Sequence, residues 1–268
     1  IRAARRVLDE GIASPVLVGS RKRVEELAAT AGLSIDGMET INPDDEPEQR
    51  ERYAVELESL RRHKGLSLQD ARRQVLDHNM FSCLMVREGK AAAVMGGLTT
   101  HYPETISTAR EVLKVEESRS IVSSVYLVVV RGRPFFFTDC AVNIEPTAEQ
   151  LAEIAIAATT TAEKDFNRDP RVAFISYSDF GSAGGPEPAR IRRAVELFRN
   201  ERPDVPVDGE MQADTAVVTD LLHSRRPDGP LQRAANVLVF PNLTAANAAY
   251  KLMNRLGDAE VIGPILSG

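Results

Sequence analysis

Short β-branched runs alternate with amphipathic helical stretches along this chain, and that alternation restricts it to βαβ units around a mainly parallel sheet. Parallel neighbours need a crossover, and a helix is the usual one. The runs predicted as strands are 15–19, 81–87, 92–95, 123–130, 134–139, 171–176, 207–211 and 235–240. Capping chemistry marks several helix starts. Ser67-Leu-Gln-Asp70 and Thr147-Ala-Glu-Gln150 have the form in which a hydroxyl and a longer polar side chain satisfy orphan amides reciprocally. Pro186 stands where a first turn needs no N–H. After Thr147, Leu151, Ile154, Ala155 and Ala158 share one face, so that helix packs inward. One feature breaks the parallel pattern: only Arg131-Gly-Arg133 separates two predicted strands, which is a hairpin spacing. An antiparallel pair there signals a change of sheet. It puts a domain boundary near Arg119, giving α/β domains of residues 1–118 and 119–259.

A length of 268 residues fits one large or two modest α/β domains. Apolar residues at 43% and charged residues at 27% exclude a disordered chain. The longest apolar run, 121–130, contains two serines and is too short to cross a bilayer. No stretch has the order of a signal peptide, so no membrane partner is expected. Cys83 and Cys140 lack metal-ligand spacing and read as buried thiols in a reducing, cytoplasmic compartment. The 39 acidic residues outnumber 33 basic ones, for a net charge of −6. Arg5, Arg6, Arg61, Arg62, Arg72, Arg73, Arg192 and Arg193 are scattered over mixed-charge helices and read as solvated faces. Nucleic acid is therefore not an expected partner. Ile1 opens directly into a helical pattern without a cap. Gly268 closely follows Gly-Pro-Ile-Leu, where an α/β chain would run on into another helix. Both ends are expected to be cuts in a longer polypeptide.

In open α/β sheets, ligands bind outside the carboxyl ends of strands. Four unusual segments are predicted at such ends: 96–100, with Thr99 and Thr100; 176–185; 208–214; and 241–247. Their convergence would build one cleft suited to an anion. In 176–185, small residues let amides approach a ligand, while Ser176, Ser178 and Ser182 add hydroxyls around Gly181. A tight turn needing glycine for geometry alone accounts for the loop equally well. Asp179 opposes phosphate unless it points away. Asp208, Glu210 and Asp214, with Gln212, are suited to acid–base work or to bonding neighbouring loop amides. No histidine accompanies them, so metal binding is not expected. Asn242 and Asn247 are placed to donate to a ligand or to cap the next helix. Arg255 is placed to clamp phosphate or to complement that helix's carboxyl end.

These segments also carry a family likeness. Phe137-Thr-Asp-Cys-Ala-Val-Asn-Ile-Glu-Pro-Thr147, Val172-Ala-Phe-Ile-Ser-Tyr-Ser178, Val207-Asp-Gly-Glu-Met-Gln-Ala-Asp214, Val237-Leu-Val-Phe-Pro-Asn-Leu243 and Ile262-Gly-Pro-Ile-Leu266 resemble the phosphate acetyl/butyryl-transferases over essentially the whole chain. Ser178-Asp-Phe-Gly-Ser182 and Gly263-Pro-Ile-Leu266 look most like the version appended to hybrid NADP-dependent malic enzymes. The resemblance implies a two-domain α/β/α sandwich of the isocitrate/isopropylmalate-dehydrogenase-like type, the phosphotransacetylase fold. In it the segment from about 260 onward completes the first domain, the cleft lies between domains, and subunits form dimers or larger homo-oligomers. It also implies acetyl-CoA, another acyl-CoA or coenzyme A as ligand at the segments named above. A malic enzyme catalytic region in the same chain would hold the NADP and divalent metal.

Family members move acetyl between acetyl phosphate and coenzyme A, using a base, an oxyanion donor and phosphate-holding arginines. By resemblance Arg255 is such an arginine. Glu104-Thr-Ile-Ser-Thr108 departs from the pattern, because Ser107 stands where the family carries another; its Ser-Arg pair and nearby Asp lie beyond Gly268. Losing one clamp costs on the order of 2–3 kcal/mol, about two powers of ten in rate. The expectation is therefore a regulatory and oligomerising domain that binds acetyl-CoA for a malic enzyme. An active phosphate acetyltransferase is the alternative.

Overall fold

In the computed structural model, which describes residues 1–96, 102–113 and 120–267, capping side chains set several helix starts of the first unit, Ile1–Lys114. Helix α1 (Arg2–Asp9), strand β1 (Val16–Val18), α2 (Arg21–Thr30) and β2 (Glu39–Ile41) come first, with β1 and β2 paired in parallel. Next come α3 (Pro47–Arg61), α4 (Leu68–Gln74), α5 (His78–Arg87) and α6 (Tyr102–Val112). Ser67 caps α4 by accepting from the Asp70 amide, and Asp77 caps α5 by accepting from that of Met80. Tyr53, Leu57, Phe81 and Leu84 are buried at the centre, Tyr53 meeting Phe81 edge to face at 5.1 Å.

Two expected strands of this unit are corrected. Residues 81–87 are the body of α5, burying Met80, Phe81, Cys83, Leu84 and Met85. Met, Leu and Phe suit a buried helix as well as a strand, and the Asp77 cap decides between them. Residues 92–95 form no strand; alanine there gives little side chain to pack on a pleated surface. Thr99 and Thr100 lie outside the described residues.

The second unit, Val115–Gly268, contains β3 (Ser123–Val130), β4 (Arg133–Thr138), α7 (Ala148–Lys164), β5 (Val172–Ile175), α8 (Pro186–Glu201), β6 (Val207–Met211), α9 (Ala213–Val217), α10 (Thr219–Arg225), β7 (Val237–Val239), α11 (Leu243–Leu256) and β8 (Glu260–Ser267). Its sheet runs β6-β5-β7-β4-β3-β8. Strands β4, β7, β5 and β6 are parallel, while β3 is antiparallel to both β4 and β8. The segment from Glu260, expected to complete the first domain, is thus β8 on the flank of β3. The β3–β4 turn is tighter than its sequence spacing implied. Val130 already pairs with Arg133, leaving Arg131 (φ 51°) and Gly132 (φ 74°) as a two-residue turn with both φ positive, which suits the right-handed twist of the strands.

Successive residues of these strands face opposite layers. Val125, Leu127, Phe136, Val172, Phe174 and Val237 form one core with Leu151 of α7 and Ile191 and Phe198 of α8. Tyr126, Val128, Phe135, Phe137, Ala173 and Leu238 form the other with Ala216, Leu222 and Ala246 of α9, α10 and α11. The result is an α/β/α sandwich. Leu151, Ile154, Ala155 and Ala158 of α7 are all fully buried. Both cysteines are buried and free; burial pushes the Cys83 thiol up to about 11. Among the described residues, no helix is long and apolar enough to cross a membrane.

At the start of α7 the Thr147 hydroxyl accepts from the Gln150 amide at 3.3 Å, and the Gln150 side chain accepts from the Thr147 amide at 2.9 Å. Replacing Thr147 by Ala removes one of these bonds and is expected to lower stability by about 1 kcal/mol. Chemical denaturation reads the effect; an unchanged midpoint would disprove the contribution of the cap.

Candidate functional site

Strands β5 and β6 are neighbours, so the loops at their carboxyl ends emerge side by side. Gly209 permits this closeness. At φ 144° a Cβ there would lie 2.8 Å from the Phe174 carbonyl oxygen, so only glycine lets β6 approach β5 at this point. Glu210, the next residue, is fully buried and points into the neighbouring loop. One of its carboxylate oxygens accepts from the Ser178 hydroxyl at 2.9 Å, the Gly181 amide at 2.9 Å and Arg192 at 2.8 Å. The other, also buried, has no hydrogen-bond partner among the described residues. Arg192, expected on a solvated face, is the counter-charge of this carboxylate.

Most of the remaining polar groups of the two loops are likewise used internally. The Ser178 hydroxyl accepts from the Ala183 amide, and that of Ser182 from the Asp179 amide. Ser176 accepts from the Ser178 amide and lies 3.4 Å from Glu187. Gln212 donates through its amide to Asp179 and through its side chain to the Tyr177 carbonyl, both at 2.8 Å. Asp179 also pairs with Arg225, which reaches Thr215 at 2.8 Å as well. The opposition of Asp179 to an anion is therefore cancelled by a local cation. Helix α8 opens with Pro186, Glu187 and Pro188, so two of its first three residues have no N–H to offer and the third brings a carboxylate. Ser176, Ser178, Gly181 and Ser182 thus build a self-bonded turn rather than an open phosphate cradle.

Of the carboxylates of 208–214, Asp208 joins Glu210 in a structural role. Asp208 is buried, accepts from the Gly209 amide and lies 2.9 Å from Arg226 Nε in an ion pair without hydrogen-bond alignment. Burial pushes the Asp208 carboxyl above its ordinary value, outweighing that amide and the nearby Arg226 and Arg199. Asp214 bonds the Thr215 amide and stands 3.9 Å from Arg225. Asn242 caps α11, accepting from the Ala245 amide at 3.0 Å, and Asn247 donates to the Cys140 carbonyl at 3.2 Å. Arg255 is not gathered with them. Thirteen helical residues beyond Asn242, at a rise of about 1.5 Å each, it lies roughly 20 Å away toward the opposite rim of the sheet. Its side chain is exposed and pairs with no carboxylate among the described residues.

Three arginines, Arg192, Arg225 and Arg226, were not expected at this rim. The Arg225-Arg226 doublet, close after the acidic segment, was the available signal. Asp139 was missed as well. Buried at the end of β4, it accepts from the Ser124 amide and hydroxyl, the amides of Ala141, Val142 and Asn143, and the Asn143 side chain. It thereby shapes the loop before α7.

Comparison with known proteins gives a consistent likeness. The family profile described as phosphate acetyl/butaryl transferase matches residues 1–268. The phosphate acetyltransferase of Thermoanaerobacterium thermosaccharolyticum is 38% identical over 274 residues, covering 100% of this chain and 83% of that enzyme. That of Corynebacterium glutamicum is 37% identical over 268 residues, covering 100% and 81%. The crystal structure of a phosphotransacetylase from Streptococcus pyogenes matches with a TM-score of 0.90 at 34% identity, covering 100% of this chain and 81% of that one. These whole-chain matches correct the expectation of an acetyl-CoA-sensing regulatory domain of a malic enzyme. The proteins matched are named as transferases, and the NADP and divalent metal assigned to a malic enzyme region fall with that reading.

The Asp208–Arg226 pair yields a pH-dependent prediction. Arg226→Met leaves a buried carboxylate without its counter-charge and should destabilise the chain by about 2 kcal/mol at neutral pH, less than for a fully buried pair because Arg226 is part-exposed. A carboxyl raised in the folded state favours folding when protonated, so the deficit should shrink as pH falls. Denaturation of the Arg226→Met variant, alone and combined with Asp208→Asn, checks this. A deficit that changes neither with pH nor on removal of the Asp208 charge would refute the assignment.

Proposed function

Because the chain belongs to the phosphate acetyl/butyryl-transferase family, we propose that it moves an acyl group, acetyl first among candidates, between acyl phosphate and coenzyme A. The observation that carries this reading is likeness along the entire chain to enzymes named phosphate acetyltransferase, at 38% and 37% identity. Acyl-CoA is on this view a substrate and not an effector. In the reaction the coenzyme thiol loses its proton to a base and attacks the carbonyl carbon of acetyl phosphate. A carbon–sulfur bond forms, the carbon–oxygen bond to phosphate breaks, and phosphate leaves with the electron pair.

Glu210 and Asp208 are not assigned to proton transfer, since each is engaged in holding a loop. Arg255 is proposed to hold phosphate. Its guanidinium is exposed, carries no counter-charge among the described residues, and suits the oxygens of a phosphate group. Ser107 is exposed on α6; by the resemblance alone, it replaces a further phosphate-holding arginine of the family.

Thiol consumption by the full-length protein with acetyl phosphate and coenzyme A tests the proposal. Turnover of many per second is expected, and absence of thioester formation would refute it. Arg255→Ala should raise KM for acetyl phosphate or coenzyme A by about 10- to 100-fold, one charge-assisted contact, with little change in melting temperature. Ser107→Arg should move KM for acetyl phosphate the opposite way, by about tenfold. An unchanged KM in either variant would remove that residue from phosphate binding.

A further inference from the structure

The loops described above crowd one rim of the second unit's sheet. At the other rim, the amino ends of β4, β5 and β7 border a cavity of about 300 Å³, lined by Arg133, Arg168, Arg171, Arg233, Asp169 and Asn236 among others. Four guanidinium groups meet a single carboxylate there, in a chain whose net charge is −6. At the carboxyl-end rim Arg192, Arg225 and Arg226 each have an acidic partner. Among the described residues none of the four around the cavity forms an ion pair.

Two of the four, Arg171 and Arg133, are also held in place. The Arg171 amide donates to the Asn236 side chain at 2.7 Å, and Asn236 donates to the Asp169 carbonyl at 2.9 Å. The Arg171 guanidinium donates to the carbonyls of Ala234 at 2.8 Å and Asp169 at 3.3 Å. Arg133 lies over the Phe135 ring at 5.2 Å. Burial, with Arg233 and Arg133 close by, lowers the Arg171 pKa, while Asp169 acts the other way. Like charges gathered without internal compensation gain when an anion joins them.

We propose that this cavity binds a phosphate dianion, free or as a monoester. Guanidinium forks match the several oxygens of such a group, and the space corresponds to about ten water volumes, enough for phosphate and a small attached moiety. Two sources carry this chemistry: a small free phosphate, or the 3′-phosphate of coenzyme A. The proposal stands apart from acyl transfer, because it is read by binding and not by turnover.

Calorimetric titration of the full-length protein with orthophosphate, coenzyme A and dephospho-coenzyme A provides the test. It compares the wild type, the Arg168→Ala/Arg233→Ala double variant and an Arg193→Ala control. Arg168 and Arg233 are exposed and their side chains bond no protein group among the described residues, so the double variant should keep its melting temperature. Its orthophosphate affinity should fall by at least about tenfold if the ligand is a free phosphate. Its coenzyme A affinity should fall likewise, with dephospho-coenzyme A unaffected, if the 3′-phosphate is the source. Binding should weaken as salt is raised, and the control should match the wild type. Affinities for all three ligands within about twofold of wild type would overturn the proposal. So would loss of self-association with unchanged phosphate affinity, which would assign these arginines to a contact between copies.

Discussion

The buried carboxylate of Glu210 is the constraint on which the carboxyl rim of the second unit depends. An ionised group out of water needs donors and a counter-charge, and Ser178, Gly181 and Arg192 supply them from a different loop and a different helix. Satisfying one oxygen of this carboxylate therefore joins β6, the loop after β5 and α8. Gly209 makes the junction possible by letting the two strands come close where any side chain would strike the Phe174 carbonyl. The adjoining pairs, Asp179 with Arg225 and Asp208 with Arg226, repeat the same device. Charge is concentrated at this rim and locally cancelled.

That cancellation bears on how the family chemistry is read. A polar, glycine-containing loop invites the picture of an anion cradle, yet most of its amides and hydroxyls already have partners within the protein. The Tyr177 ring stays exposed at this rim, and the arginines without an internal counter-charge among the described residues lie elsewhere. Arg255 is one such group, and the arginines around the opposite cavity are others. On the readings proposed above, anion binding rests on arginines without an internal counter-charge among the described residues, not on the glycines and serines of a loop.

Features fixed by near neighbours in the chain were legible in the sequence. The strands Ser123–Val130 and Val207–Met211, the Thr147–Gln150 capping box and the inward face of α7 depend on residues a few positions apart. The overall α/β class followed from them. Residues 81–87 misled because Met, Phe and Leu fill a buried helix or a buried strand equally well. Strand β8 escaped notice because its glycine and proline interrupt the β-branched pattern, although β3 supplies a partner across more than 130 positions. Site residues were found by type, but their use was not. Glu210 meets partners 18 to 32 positions away, and Asp139 meets Ser124 fifteen away. Nothing in the local sequence distinguishes a carboxylate that works on a ligand from one that ties loops together.

Strand β3 is bordered by β4 and β8 and covered on both faces, with Val125 and Leu127 serving one layer and Tyr126 and Val128 the other. Deleting or inserting a single residue in it would send every later side chain to the wrong layer while also mismatching two hydrogen-bonded ladders. The strand can accept changes in side-chain size but not in length. Insertions and deletions in this region are thereby confined to the connecting segments, where a longer or shorter chain leaves the pleat in phase.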